Sequence, residues 1–381
     1  MDRPLILHII TGLKRSGAEH VLFRLVKSLT HFRHVVVCLS QPQPNDLTDA
    51  LRMHGIDVFH MNIHPRQPWS LINGYSICTL IRRLKPGVVQ TWMYHADVIG
   101  GLMAMFSTTK PIVWNIRNGT FSTPMQLSKK VPFITKLAAF LSRFIPHTIL
   151  SCSQNAIEFH HSIGYAPRHF VHIPNGIDCQ RFDISAEKRF AFRQMINIPD
   201  GVPCVGLVAR WHPQKDIPTF LKACHTVLQQ NHNVRFVLVG HDLDGANTEL
   251  CHLVQTYEGL ADALTLLGSY NDIPTVMNGL DVLCMTSAFG EGFPNVIGEA
   301  MACGTPCVVT NVGDAAVIIG DYGSVCSIGD VDSIAEAIKA LIHNPLDSIV
   351  VRQHICDHYT LDHMTMVYQR FYTNLIDGKC L

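Results

Sequence analysis

Short apolar runs recur along the chain, each closed by Gly, Pro or polar residues. Most are followed by apolar positions at three- and four-residue spacing. In the first half the runs predict strands at Leu5–Ile10, His34–Leu39, Asp57–Met61, Val88–Met93, Ile112–Asn115 and Thr148–Ser153. In the second half they predict Cys204–Ala209, Arg235–Gly240, Leu264–Gly268, Val282–Met285 and Cys307–Thr310. Helical spacing follows Gly17, where Val21, Leu22, Leu25, Val26 and Leu29 share one face. It recurs near Leu47–His54, over Ser70–Leu84, after Asp97, from Pro218 to Gln229, from Ile273, from Pro294 to Gly304 and over Ile334–Leu341. Met364, Val367, Phe371 and Leu375 line one side of a last helix ending near Ile376. Strands alternating with helices imply parallel sheets covered on both faces. In such sheets ligands bind beyond the C-terminal strand ends.

At 381 residues, 47% apolar and 16% charged, the chain can bury two cores and is not disordered. Val171–Asp178 reads as a crossing between two domains, placing the break after Asn175. The net charge is zero, but residues 1–175 hold 18 Lys and Arg against 7 Asp and Glu, and residues 176–381 hold 12 against 23. A basic half beside an acidic half points to an anionic partner for the first. The 13 Cys are singletons, mostly inside apolar runs, with no CxxC pair. They read as reduced core thiols of a cytoplasmic protein. No stretch reaches a membrane span, and Pro4–Thr11 reads as a first strand rather than a signal peptide.

The segment DVLCMTSAFGEGFPNVIGEAMACGTPCVVT, residues 281–310, carries the clearest chemistry. A loop acid, Glu291, precedes a helix N-terminus, and Glu299 follows about two turns on. A helix N-terminus attracts an anion, and the acids can accept hydrogen bonds from hydroxyls attached to it. A sugar joined to a diphosphate asks for both. The sequence EGFPNVIGEAMACGTP resembles the E-x7-E signature of the family-4 glycosyltransferases, with Glu291 and Glu299 in the acidic positions. That resemblance extends along almost the whole chain. It implies the GT-B fold, an α/β architecture of two Rossmann-like domains facing across a cleft. The last helix would cross back, so that the first domain is 1–175 plus about 362–381 and the second, nucleotide-sugar-binding domain is 176–361.

Other motifs fit the same family. Arg210 and Lys215 match its R-x4-K pair, with Asp216 where the family often has Gly. Gly17 and Glu19 match its GGxE turn, with Ser16 in place of the first Gly. His95 follows a predicted strand as the family's sugar-facing His does, and Pro174–Asp178 is similar to its PNGID linker. The resemblance implies a catalytic set of Arg210, Lys215, Glu291 and His95. It implies donor contacts from Gly17, Ser269, Gly292, Phe293, Asn295, Val296 and Glu299. Lys14, Arg15 and Arg117 are the candidate acceptor-binding residues. Glu291 is expected on the sugar hydroxyls, Glu299 on the ribose, and Ser269 near the base.

The expected reaction is retaining transfer of a sugar from a nucleotide diphosphate sugar, UDP-sugar favoured, to a lipid-linked or surface-glycan acceptor. No metal or other cofactor and no nucleic-acid partner is expected; Asp242 and Asp244 have DxD spacing but no supporting cluster. Phe121–Leu150 mixes Lys129, Lys130, Lys136 and Arg143 with Leu137, Phe140, Leu141 and Phe144, and no acid occurs from Phe121 through Ser153. It reads either as a core helix with solvated Lys or as a segment lying peripherally on the anionic cytoplasmic face of a membrane. Two alternatives stay open. One is a nucleotide-sugar epimerase or hydrolase of the same fold. The other is a non-catalytic nucleotide-sugar-binding module.

Overall fold

The computed structural model describes residues 3–14, 17–63, 72–120, 132–166, 170–230 and 233–379. Two compact units emerge. Among the described residues, the first runs to Gly119, resumes through Asn175 and takes in Asp362 onward; the second is Thr120 and Gly176–Leu361.

The first unit is built on seven parallel strands: β1 (Leu5–Ile10), β2 (Arg33–Cys38), β3 (Asp57–His60), β4 (Val88–Trp92), β5 (Ile112–Ile116), β6 (Thr148–Ser151) and β7 (Phe170–His172). Their order across the sheet is β3-β2-β1-β4-β5-β6-β7. β1, β4 and β5 are buried along their whole length, as strands covered on both faces must be. The expected interdomain crossing at 171–178 is corrected at its start: Val171 and His172 belong to β7, an edge strand paired with β6. The run there is too short and too polar to announce a strand. The described helix before β4 is Gly74–Leu84, shorter than the Ser70 start expected; residues 64–71 lie outside the described residues.

The second unit has six parallel strands: β8 (Cys204–Val208), β9 (Arg235–Val239), β10 (Leu264–Gly268), β11 (Val282–Met285), β12 (Cys307–Thr310) and β13 (Gly323–Cys326). Their order is β10-β9-β8-β11-β12-β13. The helices Ile217–Gln230 and Val331–His343 seal one face through Phe220, Cys224, Val227, Ile334 and Ile338. Arg189 and Arg193 bind the two carboxylate oxygens of Asp281 at 2.6 and 3.2 Å, fixing the helix Ala186–Met195 to the start of β11.

Each order is that of a doubly wound Rossmann sheet, in which the direction of winding reverses once. The reversal falls between β1 and β4 in the first unit and between β8 and β11 in the second. The loops leaving those four strands are therefore the places where each unit can seat a ligand.

The helix Leu361–Ile376 belongs with the first unit for nearly all its length. Its buried face is made by Met364, Tyr368, Phe371, Tyr372 and Leu375, with Val367 only half-buried. Tyr372 donates to Gln90 Oε1 at 2.5 Å, and Asn115 Nδ2 donates to Tyr368 Oη at 3.3 Å. Two tyrosine hydroxyls thus pair with polar side chains buried in β4 and β5.

Candidate functional site

At the second unit's switch point, β8 ends and the chain enters a short 3-10 turn, Pro213–Lys215. His212 caps it, its Nδ1 accepting from the Gln214 N–H at 3.2 Å. Asp216 closes it at φ +44°, a left-handed conformation. Gly would sit there without strain, and Asp is among the few other residues that tolerate it. Asp216 also accepts from the Thr219 hydroxyl at 2.7 Å, so its side chain anchors the start of the next helix.

The turn delivers Lys215 to the loop after β11. Lys215 Nζ lies 2.6 Å from Glu291 Oε1. The same oxygen accepts from Ser287 Oγ at 2.8 Å and from Gln214 Nε2 at 3.1 Å. The Thr286 hydroxyl lies 2.9 and 3.1 Å from the carbonyl oxygens of Lys215 and Asp216, sharing its one proton between them, and the Ala288 N–H donates to Gln214 O at 2.8 Å. Two consecutive hydroxyls at the end of β11 thus hold the backbone of the lysine turn and the carboxylate of Glu291. Arg210 is exposed in the loop leaving β8.

Behind Glu291 lies a tight backbone crossing. Gly313 has φ +59°, and a Cβ there would fall 2.5 Å from the carbonyl oxygens of both Glu291 and Gly292. The Asp314 N–H donates to Gly292 O at 2.9 Å. Phe293 and Pro294 are buried next, and the helix Asn295–Ala302 begins. Pro294 is the N-cap rather than the first helical residue, and it supplies no side-chain acceptor to the helix start. The helix is also shorter than expected: Cys303 caps it, and Gly304 turns away at φ +79°. Asn295, Val296 and Glu299 are half-buried on this helix. Ser269 is exposed just after β10.

At the first unit's switch point, Lys14 is exposed in the turn after β1 and Gly17 opens the helix Gly17–Ser28. A Cβ on Gly17 would meet nothing within 4 Å. Arg15 and Ser16 lie outside the described residues. His95 sits in the first turn of the helix Tyr94–Met105, directly after β4. It is half-buried, and burial lowers its pKa, favouring the neutral imidazole. Arg117 is buried rather than exposed. Its guanidinium donates to Asn175 Oδ1 at 2.7 Å and lies 5.3 Å from the centre of the Trp92 ring. The expected acceptor-binding residue is thus also a tie between β5 and the end of the first unit's second segment.

Sequence spacing gave no sign of Ser287, Gln214 or Gly313 as partners of Glu291. The hydroxyl pair Thr286–Ser287 at a strand end beside a loop acid was the available signal. It was hidden because short polar residues end most strands.

The second unit thus brings a charged pair held by hydroxyls to the switch point of its sheet, where doubly wound folds seat their ligands. Comparison with known proteins makes the class specific. Residues 202–344 match the family described as glycosyl transferases group 1, and residues 15–181 match glycosyltransferase family 4. The chain belongs to the family-4 glycosyltransferases of GT-B fold. Among its relatives, the UDP-Gal:α-D-GlcNAc-diphosphoundecaprenol α-1,3-galactosyltransferase of Escherichia coli is 24% identical over 87% of this chain and 85% of its own. The N,N'-diacetylbacillosaminyl-diphospho-undecaprenol α-1,3-N-acetylgalactosaminyltransferase of Campylobacter jejuni is 25% identical over 78% and 79%. The structure of HepE from Anabaena in complex with UDP superposes with a TM-score of 0.84 at 20% identity, covering 98% of this chain and all of that one.

Proposed function

We propose that the protein transfers a sugar, with retention of anomeric configuration and without a metal ion, from a UDP-sugar to a lipid-linked or glycan acceptor. The observation that carries this is the Lys215–Glu291 pair at the second unit's switch point. The E. coli and C. jejuni relatives are named for diphosphoundecaprenol acceptors, and HepE was solved with UDP. All three names support the donor and acceptor classes.

Lys215 and Arg210 supply the positive charge that a departing diphosphate needs, and the start of the helix Asn295–Ala302 adds its dipole. Gly292, Phe293, Asn295 and Val296 line that approach, Glu299 takes the ribose and Ser269 lies near the base. Glu291 Oε1 is occupied by three donors, which leaves Oε2 to accept from sugar hydroxyls. His95 and Gly17 are assigned to the donor sugar and its phosphates, and Lys14, Arg15 and Arg117 to the acceptor side. In the transfer step the acceptor oxygen bonds to the anomeric carbon on the face the diphosphate leaves. The bond from that carbon to the β-phosphate oxygen breaks, and the acceptor proton passes to the leaving phosphate.

The test is turnover across UDP-, GDP- and ADP-sugars with diphosphoundecaprenol-type acceptors, with the product anomer read by NMR. UDP-sugar turnover with retention supports the reading. An inverted product overturns the mechanism, and release of free sugar irrespective of acceptor overturns transfer in favour of hydrolysis.

With a lipid-linked acceptor, we infer a peripheral location on the cytoplasmic face of the membrane. No described helix is long and apolar enough to cross a membrane. On and just after the helix Phe133–Leu141, however, Phe133, Phe140 and Phe144 are 80%, 58% and 66% exposed, beside exposed Lys136 and Arg143. Exposed aromatics with cations are the composition of an interfacial anchor. Residues 121–131 of the segment lie outside the described residues. Flotation with anionic but not neutral liposomes supports the anchor, and salt-insensitive absence of binding removes it.

A further inference from the structure

The connection between β4 and the helix Tyr94–Met105 is a single residue, Met93. Its backbone lies at φ +71°, ψ 161°. That region is essentially reserved for glycine, and non-glycine residues persist there only when their surroundings over-determine them.

The surroundings do so here. The Met93 N–H donates to Asn115 O of β5 at 3.1 Å, and Met93 O accepts the helical bond from the Asp97 N–H at 2.9 Å. Asp97 is fully buried, and its Oδ1 accepts from Thr91 Oγ1 on β4 at 2.5 Å. Burial raises its pKa above the ordinary carboxylate value. Tyr94 is pinned from the other side: its hydroxyl donates to His160 Nε2 at 3.0 Å, and His160 Nδ1 donates to Ala156 O at 2.6 Å. The helix cannot shift to relieve the strain, because Gly100 and Gly101 seat it directly on the sheet. A Cβ at either would come within 2.8 Å of Ile9 or Trp114. Strand and helix are both fixed, and one residue must turn the chain between them.

We propose that Met93 is a positioning residue whose strained backbone aims His95 beyond the C-terminal edge of β4. The proposal rests on the role assigned to His95 above. A relaxed connection would let the first helical turn rotate and would cost the imidazole its fixed direction. The strain is therefore retained where a glycine would remove it.

Comparing Met93→Gly with Met93→Ala separates the backbone from the side chain, since both lose the thioether and only glycine relaxes φ. The glycine variant is expected to melt higher than the alanine variant, by roughly 2–4 °C. Its kcat is expected to fall at least about 10-fold below that of Met93→Ala, with KM for the donor within about 3-fold, as loss of orientation at the transition state demands. Equal kcat values in the two variants, or a glycine variant that melts no higher, overturn the proposal. His95→Ala distinguishes the two readings. If it retains wild-type turnover, the role of His95 falls. If it loses turnover while Met93→Gly does not, the positioning proposal alone falls.

Discussion

Lys215 Nζ and Glu291 Oε1 are joined at 2.6 Å, with both side chains largely buried. The pairing fixes the lysine's position, and burial partly desolvates its charge. Replacing it should affect the step in which charge develops more than the binding that precedes it. Lys215→Ala is expected to lower kcat about 100-fold or more, roughly 2.7 kcal/mol, while the Kd for UDP changes less than about 10-fold. Single-turnover kinetics and calorimetry check this. Equal losses in both quantities would assign the lysine to uniform binding.

Gly17 offers a test free of folding effects. A Cβ there enters open space, so Gly17→Ala should melt within about 1 °C of the parent. If the backbone must approach the donor closely, kcat/KM should nonetheless fall about 10-fold or more. A variant with parental kinetics would remove Gly17 from the site.

Gly313 tests the opposite case. Its added Cβ would clash with the carbonyls of Glu291 and Gly292 in a left-handed backbone. Gly313→Ala should cost about 2 kcal/mol of stability and displace the Glu291 loop, lowering turnover by at least about 10-fold. Thermal unfolding and turnover of the purified variant are the readouts. Unchanged activity in a folded variant would show that the loop tolerates displacement.

Stability should fall on mild acidification. Trp92 Nε1 donates to His8 Nδ1 at 3.2 Å, His8 Nε2 donates to His34 Nδ1 at 3.0 Å, and His34 Nε2 donates to Leu29 O at 2.9 Å. This chain is complete with both rings neutral, and neither ring can take a second proton without losing a bond. Burial lowers the His8 pKa well below its ordinary value, assisted by the neighbouring His34, and lowers those of His34 and His160 to about 4. Below the unfolded value near 6.5 the unfolded chain therefore binds more protons. The stabilisation is complete above that pH and is lost as pH falls toward about 4. Asp97 acts in the opposite sense, since its raised pKa keeps a proton that the unfolded chain releases above about 3.9. The histidines with lowered values outnumber this one acid, so the net effect is a loss of stability on acidification. Melting temperatures measured from about pH 7 to about pH 5 should decline. A flat or rising profile would refute the assignment.

Much of the architecture was legible because β1, β4, β5 and β8 are short apolar runs closed by turn residues. In such strands burial and propensity agree. β7 and β13 were missed because edge strands need fewer apolar residues: Phe170–His172 and Gly323–Cys326 are only partly buried. Glu291 and Lys215 were found through motif spacing. Ser287 and Gly313 were not, because a hydroxyl's partner and a backbone's close approach are set by tertiary contact and leave no period in the sequence. Arg117 shows the same limit. A strand-end arginine promised an open ligand contact, and its burial against Trp92 and Asn175 could be seen only in three dimensions.

The tyrosines of the last helix carry a consequence for biosynthesis. Gln90 and Asn115 precede the second unit in the chain, yet their hydroxyl partners Tyr372 and Tyr368 follow it. The second unit, encoded between them, can close its own core first. The first unit's sheet then stays incomplete while the second unit is being made, and it must be kept from aggregation until the helix Leu361–Ile376 emerges.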